Sequence, residues 1–377
     1  MLPKVSHIYI HIPFCRTRCP YCSFFSTSQS NQERQKYIAS VCNEIEKVGK
    51  KLFIEPSTIY LGGGTPSLLA PSQIEKILKH LSANEKCELT MELNPRDATN
   101  SYCKELYKLG ITRVSIGCQS FINNQLKTLG RDHNLADNYT AVENLKKAGF
   151  KNINIDIIYG LPNQTIEDLN SSLERLYKLN IQHISTYLLC LDKASKKSFE
   201  YDKIPNDKTL ADFYKTICDK NSANGFVQYE LSNFATASFE SKHNLSYWSD
   251  KPYYGFGASA SSYILLNGRY YRFTNPSNIR QYYDGLKRNS LNFETYKPLS
   301  FQKLSGEFSF LSLRKSSGLQ LGEYQKKFGV DFLKFYKKSI QKNREYLIIE
   351  KDSIRLKPEF YFVADSIFAD FVFTSQV

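Results

Sequence analysis

Three cysteines near the start of the chain, Cys15, Cys19 and Cys22, have the type and spacing to hold metal, in the pattern Cys-x-x-x-Cys-x-x-Cys. Three thiolates in one short loop can bind three irons of a cubane iron–sulfur cluster. Such clusters normally take four cysteines, so the fourth iron stays open or takes a remote ligand. A zinc site of three cysteines and one histidine, with His11 as the fourth ligand, is a first alternative. Three reduced thiols without a ligand are a second. Tyr21, just before the last cysteine, could pack on an adenine. The other six cysteines, at 42, 87, 103, 118, 190 and 218, are scattered, and the total of nine is odd. That is not a secreted disulfide framework, and the six read as buried small hydrophobes.

A second set of residues could line a ligand. Gly62-Gly63-Gly64-Thr65-Pro66-Ser67 is a glycine-rich turn whose backbone amides and carbonyls a ligand could approach closely. Glu92 stands in Met91-Glu92-Leu93-Asn94-Pro95, Gln119 in Gly117-Cys118-Gln119-Ser120, Arg131 in Leu129-Gly130-Arg131, and Asp156 in Asn154-Ile155-Asp156-Ile157. Taken singly, Arg131 or Asp156 reads as a structural hydrogen bond or an exposed charge.

Short β-rich runs alternate with amphipathic helical runs and would position these groups. Strands are predicted at 8–12, 58–61, 88–93, 112–116, 152–158 and 183–189. Helices are predicted at 32–50, 71–81, 99–109, 123–129, 135–148 and 166–179. Six β/α steps argue for an α/β fold with a parallel sheet, closed or partly closed into a barrel. In barrels the site lies at the C-terminal strand ends, where the cysteine loop, the glycine turn, Glu92, Gln119 and Asp156 all fall. After Leu191 the pattern changes. A helix covers 210–223, and 226–260 is rich in aromatics and glycine with little periodicity. From about 298 the chain is helical and charged, closing on a strand pair at 346–350 and 353–356, as in a small winged-helix-like domain. The predicted division is a barrel over 1–235, a linking region over 236–297 and a C-terminal domain over 298–377.

The run Tyr9-Ile10-His11-Ile12-Pro13-Phe14-Cys15 and the triad it leads into resemble the radical S-adenosylmethionine (SAM) superfamily. Nearly the whole chain resembles its HemN/HemW group, the oxygen-independent coproporphyrinogen III oxidases and their haem-chaperone relatives. The resemblance implies a partial (β/α)6 barrel. It implies a [4Fe–4S] cluster on Cys15, Cys19 and Cys22 with exchangeable SAM on the open iron. It also implies a SAM site lined by Tyr9, Gly63, Gly64, Thr65, Glu92, Gln119, Arg131 and Asp156. Glu92 and Asp156 would accept from ribose hydroxyls or the amino group, and Arg131 would pair with the carboxylate.

Two departures from the oxidases favour the chaperone branch. Phe24 stands where the oxidases carry a further cysteine, and the first strand starts near Ile8, leaving no room for their N-terminal extension. The run His243-Asn244-Leu245-Ser246-Tyr247-Trp248 resembles the haem-binding motif of that branch, with His243 as the implied haem ligand. Tyr247 and Trp248, the only tryptophan, could stack on a porphyrin. Leu188 and Asp192 stand where relatives often carry Gln and Glu, and Ser261 where many carry His. The expected function is a haem chaperone that binds cluster, SAM and haem and passes haem to an acceptor, a respiratory haem protein being one candidate. The alternative is propionate decarboxylation of coproporphyrinogen III.

Composition bounds the partners. The 377 residues carry 50 Lys and Arg against 37 Asp and Glu, a net +13. The lysines are spread and form no basic block, which argues against nucleic acid and leaves transient contact with anionic lipid open. No signal peptide and no apolar run of about 20 residues is evident, so a cytoplasmic location is expected.

Overall fold

The structure is a computed structural model that describes residues 2–191, 199–288 and 296–372. Its main body alternates strand and helix: β1 (Lys4–Ile12), α1 (Asn31–Gly49), β2 (Phe53–Gly63), α2 (Pro71–Leu78), β3 (Glu88–Leu93), α3 (Asn100–Lys108), β4 (Arg113–Gln119), α4 (Asn123–Thr128), α5 (Leu135–Ala148), β5 (Ile153–Tyr159), α6 (Ile166–Tyr177) and β6 (His183–Leu188). Strands β1 to β6 pair in parallel in sequence order. They are buried on the helix side by Ile8, Ile10, Ile59, Leu61, Met91, Val114, Ile116, Ile153 and Ile155.

Helix starts are set by capping. Ser30 accepts from the amide of Glu33 at α1, and reciprocal boxes of Asn134 with Asp137 and Thr165 with Asp168 open α5 and α6. Gly149 ends α5 in the left-handed conformation.

The aromatic stretch predicted to lack periodicity is where the structure adds most. After α7 (Asp207–Ala223) come β7 (Val227–Glu230), β8 (Asn233–Ala235), α8 (Lys242–Trp248) and β9 (Tyr254–Phe256). These strands are three or four residues long, too short to show a period. Each is held by an existing sheet edge: β8 antiparallel to β6, β7 antiparallel to β8, and β9 parallel to β1. Among the described residues the sheet thus has nine strands, in the order β7-β8-β6-β5-β4-β3-β2-β1-β9. A hairpin follows, β10 (Ser261–Leu266) and β11 (Arg269–Thr274), closed by Asn267 and Gly268, both at positive φ. That two-residue turn matches the twist of the strands.

Helices α9 (Ile279–Lys287) and α10 (Phe301–Leu313) lead to β12 (Leu319–Gln320), α11 (Leu321–Phe328), α12 (Phe332–Phe335), α13 (Lys337–Lys342), β13 (Leu347–Ile349), β14 (Ser353–Leu356) and α14 (Ala364–Val372). The expected strand pair is present as β13 and β14, and β12 completes a three-stranded antiparallel sheet against the helices. The fold is therefore a mixed α/β barrel with a C-terminal helical region carrying its own small sheet, as the sequence predicts. Among the described residues no helix is long and apolar enough to cross a membrane.

Candidate functional site

Gly62, Gly63 and Gly64 end β2 in a turn that only glycine fits. A Cβ on Gly63, at φ +114°, would lie 2.5 Å from the His11 imidazole; one on Gly64 would lie 2.8 Å from the carbonyl oxygen of Phe14. The released space brings the chain against β3. The Gly63 amide donates to Glu92 Oε2 at 3.0 Å and the Tyr60 hydroxyl to Oε1 at 2.9 Å. Burial, then the charge of Asp156, pushes the Glu92 carboxyl up to about 7, against the pull of those two donors and of Arg113.

Asp156 faces the same space from β5. It accepts from Asn154 Nδ2 at 2.8 Å and from Ser115 Oγ at 3.1 Å, and burial raises its carboxyl despite these donors. Gln119 ends β4 with φ +65°, a left-handed conformation rare for a side-chain-bearing residue. Arg131 reaches back from the loop before α5. Its Nη2 donates to the Gly117 carbonyl at 2.9 Å and its Nη1 to Cys19 Sγ at 3.6 Å, while Nε is buried without a partner.

These groups line one cavity of about 520 Å³ at the C-terminal strand ends: Gly63, Gly64, Thr65, Glu92, Gln119, Arg131 and Asp156 all face it. Of the residues predicted to bind SAM or haem, Tyr9 and His243 do not. Tyr9 lies beneath, its hydroxyl 2.9 Å from His11 Nδ1, while His11 Nε2 donates to the Phe25 carbonyl at 2.9 Å. His243 lies behind the wall, 1% exposed, with Nδ1 2.8 Å from Thr58 Oγ1 and Nε2 2.9 Å from the Tyr247 hydroxyl. Burial, His7 and Arg113 lower its imidazole to about 3. It is neutral, both nitrogens are engaged, and it stacks on Tyr60 with ring centroids 5.1 Å apart.

The three thiols share a second cavity of about 60 Å³ with Thr65, Gly130 and Arg131. Here the expected cofactor set requires correction at its core, the [4Fe–4S] cluster on Cys15, Cys19 and Cys22 that was to carry SAM on an open iron. Among the described residues no group of three or more His, Cys, Asp or Glu side chains could hold a metal ion. Cys15 Sγ accepts from Thr65 Oγ1 at 3.5 Å and Cys19 Sγ from Arg131 Nη1 at 3.6 Å. Burial raises the Cys22 thiol, the more so beside Cys19 and Cys15, against a backbone hydrogen bond from Phe24. The residues present therefore do not fit a metal centre.

Sequence reasoning missed three features. Arg113, 1% exposed, lies in the cavity wall among the carboxylates; as the first residue of a strand it looks like an exposed flank. Arg16 ties the cysteine loop to the loop after β3, its Nη2 2.5 Å from Asp97 Oδ1, while Ser67 Oγ donates to Asp97 Oδ2 at 2.6 Å. Phe24 (64% exposed) and Tyr187 (42%) stand on the cavity lining as outward apolar surface. Of the noted departures, Leu188 lines the cavity, Ser261 Oγ pairs with Thr274 Oγ1 at 2.8 Å, and Asp192 lies outside the described residues.

A barrel of this strand order, with its polar groups at the C-terminal strand ends, is the fold that radical SAM proteins share. Residues 9–176 match the radical SAM superfamily. The chain is 35% identical to the haem chaperone HemW of Lactococcus lactis, over 99% of this chain and 98% of that one. It is 33% identical to HemW of Bacillus subtilis over 85% and 86%. Coproporphyrinogen III oxidase (HemN) from Escherichia coli superimposes with a TM-score of 0.84 at 21% identity, covering 99% and 91%, which shows the shared fold. The chain belongs to the radical SAM superfamily, in its HemN/HemW subgroup.

Proposed function

We propose that this protein is a haem-handling chaperone, which takes up haem as cargo and passes it to an acceptor protein. The observation that carries the reading is the end-to-end likeness to a relative named as a haem chaperone, 35% identical over 99% of this chain. Phe24 adds to it: an apolar, exposed side chain stands where the resembling oxidases have a cysteine. Phe24 and Tyr187 would offer ring faces to a planar macrocycle at the cavity.

The cavity wall is proposed to hold a nucleoside amino acid of the S-adenosylmethionine class. Glu92 and Asp156 would accept from ribose hydroxyls or an ammonium group, Arg131 would meet a carboxylate, and Tyr21 would pack on the base. No metal centre enters this reading. The second reading, decarboxylation of coproporphyrinogen III, draws on the likeness to the oxidase, which extends to fold alone at 21% identity.

Anaerobic haem titration followed by the Soret band, run beside coproporphyrinogen III turnover, separates the two. Saturable uptake near one haem per chain without protoporphyrinogen formation is expected. Formation of protoporphyrinogen would replace the chaperone reading with the enzymatic one.

A further inference from the structure

The largest of the fully buried side chains is that of Arg113. It faces the same cavity as Glu92 and Asp156, and the three come from neighbouring strands. The register fixes their relation. Ser115 of β4 pairs with Glu92 of β3 on one side and with Asn154 of β5 on the other, and its hydroxyl donates to Asp156. Arg113 is the next inward-facing residue of β4, two positions earlier, about 6.6 Å deeper at 3.3 Å per residue. Among the described residues its buried Nε has no hydrogen-bond partner. A guanidinium stays charged throughout the working pH range, and one buried in protein needs a counter-charge. The carboxylates one rung above feel its charge across the cavity, with no direct ion pair among the described residues.

The remaining groups around this trio are neutral donors or weak acids. Tyr60 of β2 donates to Glu92, Asn154 of β5 donates to Asp156, and Cys118 of β4 and Tyr187 of β6 lie within electrostatic reach of Asp156. On the deeper side His183, Tyr229 and His243 face Arg113; burial, with a smaller contribution from its charge and, for His243, from His7, keeps both imidazoles neutral. Arg131, the other cation on the cavity, is turned to Cys19 and the Gly117 carbonyl.

We propose that Arg113 is a fixed positive charge that eases the ionisation of Glu92 and Asp156 against their burial, and is thereby a positioning residue for the cavity's ligand. The inference rests on the reading of the cavity as a nucleoside amino acid site only for its ligand-binding consequence. Removing the cation leaves two buried acids to repel each other and take up protons, so their acceptor capacity is lost near neutral pH. Since Glu92 already titrates at about 7, the effect falls in an accessible range.

Two readouts test this on the full chain. The first needs no ligand: infrared difference titration follows the carbonyl band of a protonated buried carboxyl, assigned with Glu92→Gln. Arg113→Met is expected to move that titration upward by about one pH unit or more, with Arg113→Lys restoring the wild-type midpoint. Arg113→Gln serves in the same way if the Met variant does not fold. The second is calorimetric titration with S-adenosylhomocysteine between pH 5.5 and 9 as ordinary buffers allow. The uncharged variant should bind about fivefold more weakly at pH 7 for a one-unit move and regain affinity at high pH. An infrared midpoint unmoved in an uncharged, folded variant, or moved equally by Lys, overturns the role of the fixed charge. A moved midpoint in a protein that binds no S-adenosylhomocysteine at any pH keeps that role and overturns the ligand class.

Discussion

Glu92 carries the clearest residue-scale consequence. Its carboxyl titrates at about 7 in the folded chain against 4.5 in its ordinary state. The native state holds this proton after the unfolded state has lost it, so the group withdraws stability as pH rises from about 4.5 through 7 and adds nothing below. Glu92→Gln removes the penalty. Urea unfolding should find the variant more stable than wild type at pH 8, by on the order of 3 kcal/mol, and close to wild type at pH 4.5. Equal stability at both pH values would contradict the buried ionisation. The glycine turn gives a second contrast. Gly63→Ala adds a Cβ at φ +114° against the His11 ring, and should cost about 1–3 kcal/mol and the nucleoside site with it. Gly49→Ala, at the end of α1 with no atom within 4 Å, should raise stability by roughly 0.4–1 kcal/mol, both read as denaturant midpoints. Legibility at this scale is uneven. Glu92, Gln119 and Asp156 were readable because each is a polar residue standing in or at the end of an apolar strand run, and a barrel gathers such side chains toward its C-terminal face. Arg113 was not, because nothing in a sequence distinguishes an arginine that flanks a strand from one that turns inward. His243 stood in a recognisable run, yet its packing on Thr58, Tyr60 and Tyr247 depends on β2 being beside it.

At the scale of elements, the parallel strands were legible because each is long, apolar and followed by an amphipathic helix. The short strands β7, β8 and β9 were not, since their existence depends on open edges at β6 and β1. The same dependence explains how the C-terminal helices are fastened. Lys327 of α11 donates to Asp250, which follows α8, and to the Tyr263 hydroxyl of β10 at 3.0 Å, and it lies 4.0 Å from the centre of the Tyr270 ring of β11. Asp250 is 6% exposed, so a lost partner strands a buried charge. Lys327→Met should destabilise by about 3–5 kcal/mol. Lys327→Met with Asp250→Asn should recover much of it, the coupling being read from a double-mutant cycle in denaturant. Additive losses would show that the pair does not fasten these elements.

The molecule as a whole combines a polar cavity at the strand ends with buried neutral histidines behind it. His243 is lowered to about 3 and His133 to about 4, chiefly by burial. Their stabilisation is fully present above about 6.5, the unfolded value, and is lost as pH falls toward those folded values. Thermal unfolding should therefore show Tm dropping steadily below pH 6, less steeply in His133→Gln. The central claim concerns what the intact protein does with haem. The measurement that tests it most directly is transfer: haem-loaded protein is mixed anaerobically with an apo haem protein such as apomyoglobin, and the Soret band of each is followed. The account predicts that haem passes from this chain to the acceptor faster than it dissociates when no acceptor is present, and that Phe24→Ser takes up less haem and loses this acceptor-dependent rate, with no porphyrinogen chemistry required. Haem that stays on the chain, or that passes only at the rate of uncatalysed dissociation whatever stands at position 24, would contradict it.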